Sequence, residues 1–135
     1  MAQASDMRCL MVDSLLFLVV DDSLGERILI RTQLQKLNHK VDMACDANAG
    51  LDLALMRRYD VILIDKNLTQ GFNCQELVMH IQKYSELNQA TPIVILTKNR
   101  HIDEVQPEAM QCVKPFTSQD TLKLIESVIR LKRTK

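Results

Sequence analysis

The chain has 135 residues, 17 basic and 17 acidic side chains and 47% apolar residues. That length allows one compact core and leaves little room for a second, and the apolar share argues against wholesale disorder. Zero formal net charge removes the general attraction behind nucleic-acid or anionic-membrane binding, and no apolar run approaches the roughly 20 residues that span a bilayer.

Residues 1–14 precede the first strand-like run and read as an N-terminal extension; MAQASDMRCL has no basic leader ahead of an apolar stretch, so no secretory signal is expected. LLFLVV, from Leu15 to Val20, is continuously apolar and stops at Asp21-Asp22-Ser23, as suits a strand buried on both faces. From Leu24 to Leu37, the residues Leu24, Ile28, Leu34 and Leu37 recur at helical spacing, with Asp22 or Ser23 as the cap. Lys40 to Cys45 forms a second strand. Asp46 to Tyr59 reads as a helix with Leu51, Leu55 and Tyr59 on one side. Val61 to Ile64 is a third strand, ending in Asp65.

Lys66 to Asn73 is polar and loop-like; Asn73 with Glu76 resembles a capping box opening a helix that carries Leu77, Val78, Ile81 and Tyr84. PIVIL gives a fourth strand ending in Thr97. Between Lys98 and Pro107 at most a short helix is expected, because Pro107 limits it. Met110 to Val113 is a fifth strand, followed by Lys114-Pro115, and Thr117 with Asp120 caps a last helix bearing Leu122, Ile125 and Ile129. Five strands alternating with helices give an α/β fold with a doubly wound parallel sheet. The core domain runs over 15–132 and leaves a basic tail over 133–135.

The four cysteines, Cys9, Cys45, Cys74 and Cys112, lie far apart without a CxxC, which fits neither a zinc site nor a disulfide framework. Cys45 and Cys112 read as small buried hydrophobes of a reducing, cytoplasmic compartment. His39, His80 and His101 fall in separate elements and form no cluster.

Ligands of open α/β sheets bind beyond the carboxyl ends of the strands. Asp21 and Asp22 follow strand one, Asp65 ends strand three, Thr97 ends strand four and Lys114 follows strand five. With strand order 2-1-3-4-5 these ends share one rim. Each residue alone has a plain structural reading: a helix cap, a solvated acid, a strand terminus, a turn. Together, three carboxylates that repel one another call for a cation, and oxygen-only donors suit a hard ion such as Mg²⁺.

FLVVDDS, YDVILIDKNL, PIVILT and VKPF, in this order from about Leu15 to Leu131, resemble the receiver domain of two-component response regulators. The resemblance implies the flavodoxin-like sheet and a signalling switch that catalyses its own Mg²⁺-dependent phosphorylation and dephosphorylation. Asp65 is implied as the phosphoacceptor, with a histidine kinase or phosphotransfer protein as donor. Asp22 is implied as a direct Mg²⁺ ligand with Asp21 nearby, and Asn67 contributes its backbone carbonyl. Lys114 and Thr97 are implied to meet the phosphoryl oxygens, with a cis Lys114-Pro115 bond aiming the lysine inward. A downstream protein target or a fused output domain is implied as the reader, and a homodimer is compatible; no direct nucleic-acid or membrane contact is expected.

The chain departs from the family pattern in the output half. Gln111 stands where an aromatic switch residue is usual, and the segment from Thr97 to Lys114 is short, so its helix is expected to be short or irregular. Lys98 replaces a small residue after Thr97, and Thr69 stands where the loop after the acceptor usually has Pro. These changes keep open an interaction module that keeps the fold but works without phosphorylation. A small-molecule phosphatase is disfavoured because no insertion is long enough for a lid, and a flavodoxin-type cofactor carrier because no phosphate cradle follows strand one.

Overall fold

Five parallel strands, hydrogen-bonded in the order β2-β1-β3-β4-β5, form the middle layer of the protein in a computed structural model that describes residues 14–98, 110–113 and 117–133. The strands are β1 (Leu16–Val20), β2 (Lys40–Ala44), β3 (Val61–Asp65), β4 (Ile93–Thr97) and β5 (Met110–Val113). Four α-helices are found among the described residues: α1 (Leu24–Lys36), α2 (Ala47–Met56), α3 (Cys74–Tyr84) and α4 (Ser118–Arg133). A single 3-10 turn, Glu86–Asn88, leads from α3 towards β4.

β3 and β4 are buried along their full length, as their unbroken apolar runs require of strands covered on both faces. Side chains alternate across the sheet and supply two separate cores. Leu18, Val20, Ile62, Ile64, Ile93 and Ile95 face α2 and α3, meeting Ala47, Ala54, Leu77, Val78 and Ile81. Phe17, Val19, Leu63, Val94 and Leu96 face the other way, against Ile30 and Leu34 of α1 and Leu124 and Val128 of α4.

The helix starts follow their caps. Ser23 accepts from the Glu26 N–H and opens α1, Asp46 accepts from Ala49 N–H and opens α2, and Asn73 with Glu76 forms a full capping box at α3. Thr117 and Asp120 exchange hydrogen bonds at the start of α4. α1 closes through Asn38, whose φ of 69° is the left-handed conformation that Asn tolerates after a helix.

The helix faces match their expected ones in part: α3 buries Leu77, Val78 and Ile81, Leu34 of α1 is buried, and Leu51 and Ile125 pack against the cores. In α1 the inward residues are Ile30 and Leu34, whereas Leu24 and Ile28 are exposed. α2 ends at Met56 and packs through Ala47, Gly50 and Ala54; Leu55 is exposed, and Tyr59 is buried beyond the helix end. The close approach of α2 explains this choice: a Cβ on Gly50 would lie 2.8 Å from Val20 Cγ2. In α4, Thr121, Leu124 and Val128 point inward and Leu122 outward. Tyr84 is exposed at the end of α3. The cysteines are also corrected: Cys45 is exposed, Cys112 is partly buried, and Cys74, not Cys45, is the buried thiol.

The expected irregular helix between Thr97 and Lys114, the Lys114-Pro115 peptide, most of the N-terminal extension and the side chain of Gln111 lie outside the described residues. No helix among the described residues is long and apolar enough to cross a membrane.

Candidate functional site

Parallel register fixes what meets at the carboxyl ends of the strands. Val20 of β1 pairs with Ile64 of β3, so one further step along both chains sets Asp21 beside Asp65. On the other side of β3, Asp65 pairs with Leu96 of β4, and Thr97 is the next residue. Two central strands thus end on carboxylates and a third on a hydroxyl.

Oxygen atoms of Asp21, Asp22 and Asp65 all lie within 4.8 Å of one another. Asp21 and Asp65 are buried, at 0% and 3% exposure, while Asp22 is open to solvent. Opposite ligands of one hard cation sit about 4–5 Å apart, so the spacing and the all-oxygen donor set fit a divalent ion such as magnesium or calcium. Three acids this close form an acidic niche that favours a bound cation.

Backbone donors hold the acids in place. Ser23 N–H donates to Asp21 Oδ1 at 2.9 Å, and Asn67 N–H donates to Asp65 Oδ1 at 3.2 Å. The Arg27 guanidinium reaches back from the first turns of α1 to the Asp21 carbonyl. The loop after β3 starts with Lys66 N–H donating to the Leu96 carbonyl at 2.8 Å, and crosses to Asp22, whose Oδ2 accepts from the Thr69 hydroxyl at 2.8 Å. Gly71, at φ +78°, turns the loop back against Asn48 before Asn73 caps α3. Cys74, in the first turn of α3, has its thiol pushed up to about 12, first by burial and then by the negative charge of Asp65, with Lys66 pulling the other way.

Of the residues expected at the rim, Asp21, Asp22 and Asp65 meet, Asn67 lies in the turn directly after Asp65, and Thr97 is buried at the end of β4. Lys114 lies outside the described residues. Lys98 is exposed next to Thr97. The contact missing from the sequence reading is Thr69 with Asp22. Thr69 stood out there only as a replacement for the usual Pro, and nothing local indicates a partner 47 positions away.

Comparison with known proteins places the fold in a family. The model of the response regulator receiver domain matches residues 17–126. Response regulator ArlR of Staphylococcus saprophyticus is 33% identical over 118 residues, which cover 84% of this chain and 51% of ArlR. The chain therefore spans about half the length of that curated relative. Protein PilH of Pseudomonas aeruginosa is 29% identical over 116 residues, 83% of this chain and 95% of PilH. Among solved structures, the chemotaxis response regulator CheY4 of Vibrio cholerae superposes with a TM-score of 0.76 at 29% identity, covering 84% of this chain and 98% of CheY4. The receiver domain of the sensor histidine kinase PA1611 of Pseudomonas aeruginosa shares the fold at a TM-score of 0.76 and 23% identity, over 86% of this chain and 98% of its own. That domain was solved with a magnesium ion coordinated in its active-site cleft.

Proposed function

The chain belongs to the response regulator receiver domain family, and from that premise we propose that Asp65 is its phosphoacceptor. The observation that carries the proposal is the meeting of the Asp21, Asp22 and Asp65 oxygens within 4.8 Å at the ends of β1 and β3. A carboxylate oxygen of Asp65 attacks the phosphorus of a phosphohistidine. The phosphorus–nitrogen bond breaks, its electron pair returns to the imidazole, which takes up a proton, and an acyl phosphate remains on Asp65.

Asp21, Asp22 and Asp65, with the Asn67 backbone carbonyl, would hold Mg²⁺, the ion described in the PA1611 cleft. When bound, the ion supplies the positive charge that offsets the transferred phosphoryl oxygens. The chain's own residues do the rest. Ser23 and Asn67 N–H groups orient the two buried carboxylates, and burial limits the freedom of Asp65 to move from the end of β3. Thr97 and Lys114 are assigned to the phosphoryl oxygens, Lys114 as a point charge. The phosphoryl donor is a histidine kinase or a phosphotransfer protein, and the readout is a protein target or an output domain of the same polypeptide. The setting is cytoplasmic.

Incubation with acetyl phosphate and Mg²⁺, followed by intact-mass measurement, tests the assignment. One phosphoryl adduct on the wild type, absent from Asp65→Asn and absent with EDTA, is expected. A wild type that stays unmodified by both acetyl phosphate and a phosphohistidine donor points instead to the interaction module that works without phosphorylation.

A further inference from the structure

We propose that Thr69 is a positioning residue for the cation, fixing Asp22 through the hydrogen bond from its hydroxyl to Asp22 Oδ2. The inference rests on the cation reading above and adds a residue to it. Asp22 is the exposed member of the three acids, so packing alone does not hold its carboxylate, whereas Asp21 and Asp65 are buried at strand ends. An exposed Asp beside two like charges is driven by repulsion to swing away into water. The Thr69 hydroxyl, 2.8 Å from Oδ2, opposes that swing, and it uses only one of the several lone pairs that the carboxylate can offer a cation.

Thr69 can act this way because its loop is tied down on either side. Leu68 is buried next to it. The loop is pinned upstream by Lys66 N–H on the Leu96 carbonyl and downstream by the Asn73 capping box. An apolar side chain at position 69 makes no such bond, and Pro, which also lacks an N–H, is the extreme case. The tie also joins the loop after β3 to the acidic turn after β1, so the two halves of the cation niche are set relative to each other before an ion enters.

The test is titration calorimetry of Mg²⁺ into the full chain for wild type, Thr69→Val and Thr69→Ser, with the melting temperature of each variant recorded to show that it folds. Val keeps the shape of Thr and removes the donor; Ser keeps the donor. Thr69→Val is expected to weaken Mg²⁺ binding about three- to tenfold, the scale of one hydrogen bond to a charged group near solvent, and Thr69→Ser to stay near wild type. Wild-type affinity in Thr69→Val overturns the proposal. Equal weakening in Val and Ser overturns it as well, because the loss would then come from packing. A wild type that takes up no Mg²⁺ sinks the cation reading itself, and the Thr69 assignment with it.

Discussion

Asn88 Oδ1 accepts the backbone N–H of Tyr59 at 2.8 Å, which ties the 3-10 turn before β4 to the start of β3. The same side-chain amide donates to the carbonyls of Ala54 and Arg57 at 2.6 and 2.7 Å, and Thr91 Oγ1 donates to its oxygen at 3.0 Å. Asn88 is fully buried, and the knot closes the end of the sheet opposite the acidic rim. Asn88→Ala would leave the buried Tyr59 N–H and the Arg57 carbonyl short of a partner, while the Ala54 carbonyl keeps its hydrogen bond from the Ser85 hydroxyl. An orphaned buried group costs about 1–3 kcal/mol, so a loss of about 3 kcal/mol in urea unfolding is expected, with the phosphoryl chemistry of the folded fraction unchanged.

Gly50 is the residue through which α2 touches β1. Its absent Cβ would sit 2.8 Å from Cγ2 and 3.2 Å from Cγ1 of the buried Val20. Val is stiff at χ1, so it cannot swing aside as a longer side chain would. Gly50→Ala gains about 1 kcal/mol of helix propensity and meets an overpacking penalty of about 1–3 kcal/mol. Net destabilisation is expected by thermal or urea unfolding, and the double variant Gly50→Ala with Val20→Ala should recover part of it relative to Val20→Ala alone.

Strands were more legible in the sequence than helix faces. The runs ending at Val20 and at Ile64 are apolar without interruption, and only a strand covered on both sides buries four such residues in a row. The helices gave weaker signals because several use small or polar residues inward. α2 packs through Ala47, Gly50 and Ala54, so counting large apolar residues pointed to Leu55 on the wrong face. α4 has apolar residues around a wide arc, and spacing alone did not choose Leu124 and Val128 over Leu122. Thr121, fully buried, spends its hydroxyl on the Thr117 carbonyl one turn back, a local solution that hydropathy does not reveal. At the site, Asp21, Asp22 and Asp65 could be placed together because parallel register brings strand ends to one rim. The Thr69 contact depended on the path of a loop, which no periodicity encodes.

The thiols differ enough to be told apart chemically. Cys45 is exposed, whereas Cys74 is buried and its thiol is held protonated up to about pH 12. Only thiolate reacts with iodoacetamide, so native alkylation at pH 8 should mark Cys45 and spare Cys74, as peptide mass mapping would show. The same shift gives a stability slope. The folded Cys74 pKa stands above its ordinary value of 9.0, so between pH 9 and 12 the unfolded chain releases a proton that the native chain keeps. Stability is therefore intact below pH 9 and falls as pH rises towards 12. Cys112, pushed up to about 11 chiefly by burial, adds to the slope in the same direction. Cys74→Ala should flatten the fall in melting temperature across that window; an unchanged slope would remove Cys74 as its source.

Cation binding to the acidic rim should be visible as stability, independent of any phosphoryl transfer. Asp21, Asp22 and Asp65 lie 44 positions apart at the extremes in the chain and meet only in the folded state, so the unfolded polypeptide offers no equivalent site. An ion that binds the native state alone stabilises it by RT ln(1 + [L]/Kd), about 1.4 kcal/mol at ten times Kd. The melting temperature should rise with Mg²⁺, return to its starting value with EDTA and ignore NaCl added to the same ionic strength, which separates site binding from general screening. Asp22→Asn keeps the shape of the exposed ligand and lowers the charge of the niche, so the Mg²⁺-dependent part of the rise should shrink or vanish while the ion-free variant remains folded. Equal rises in wild type and Asp22→Asn would move the bound ion away from this rim, and with it the electrostatic basis for phosphoryl transfer to Asp65.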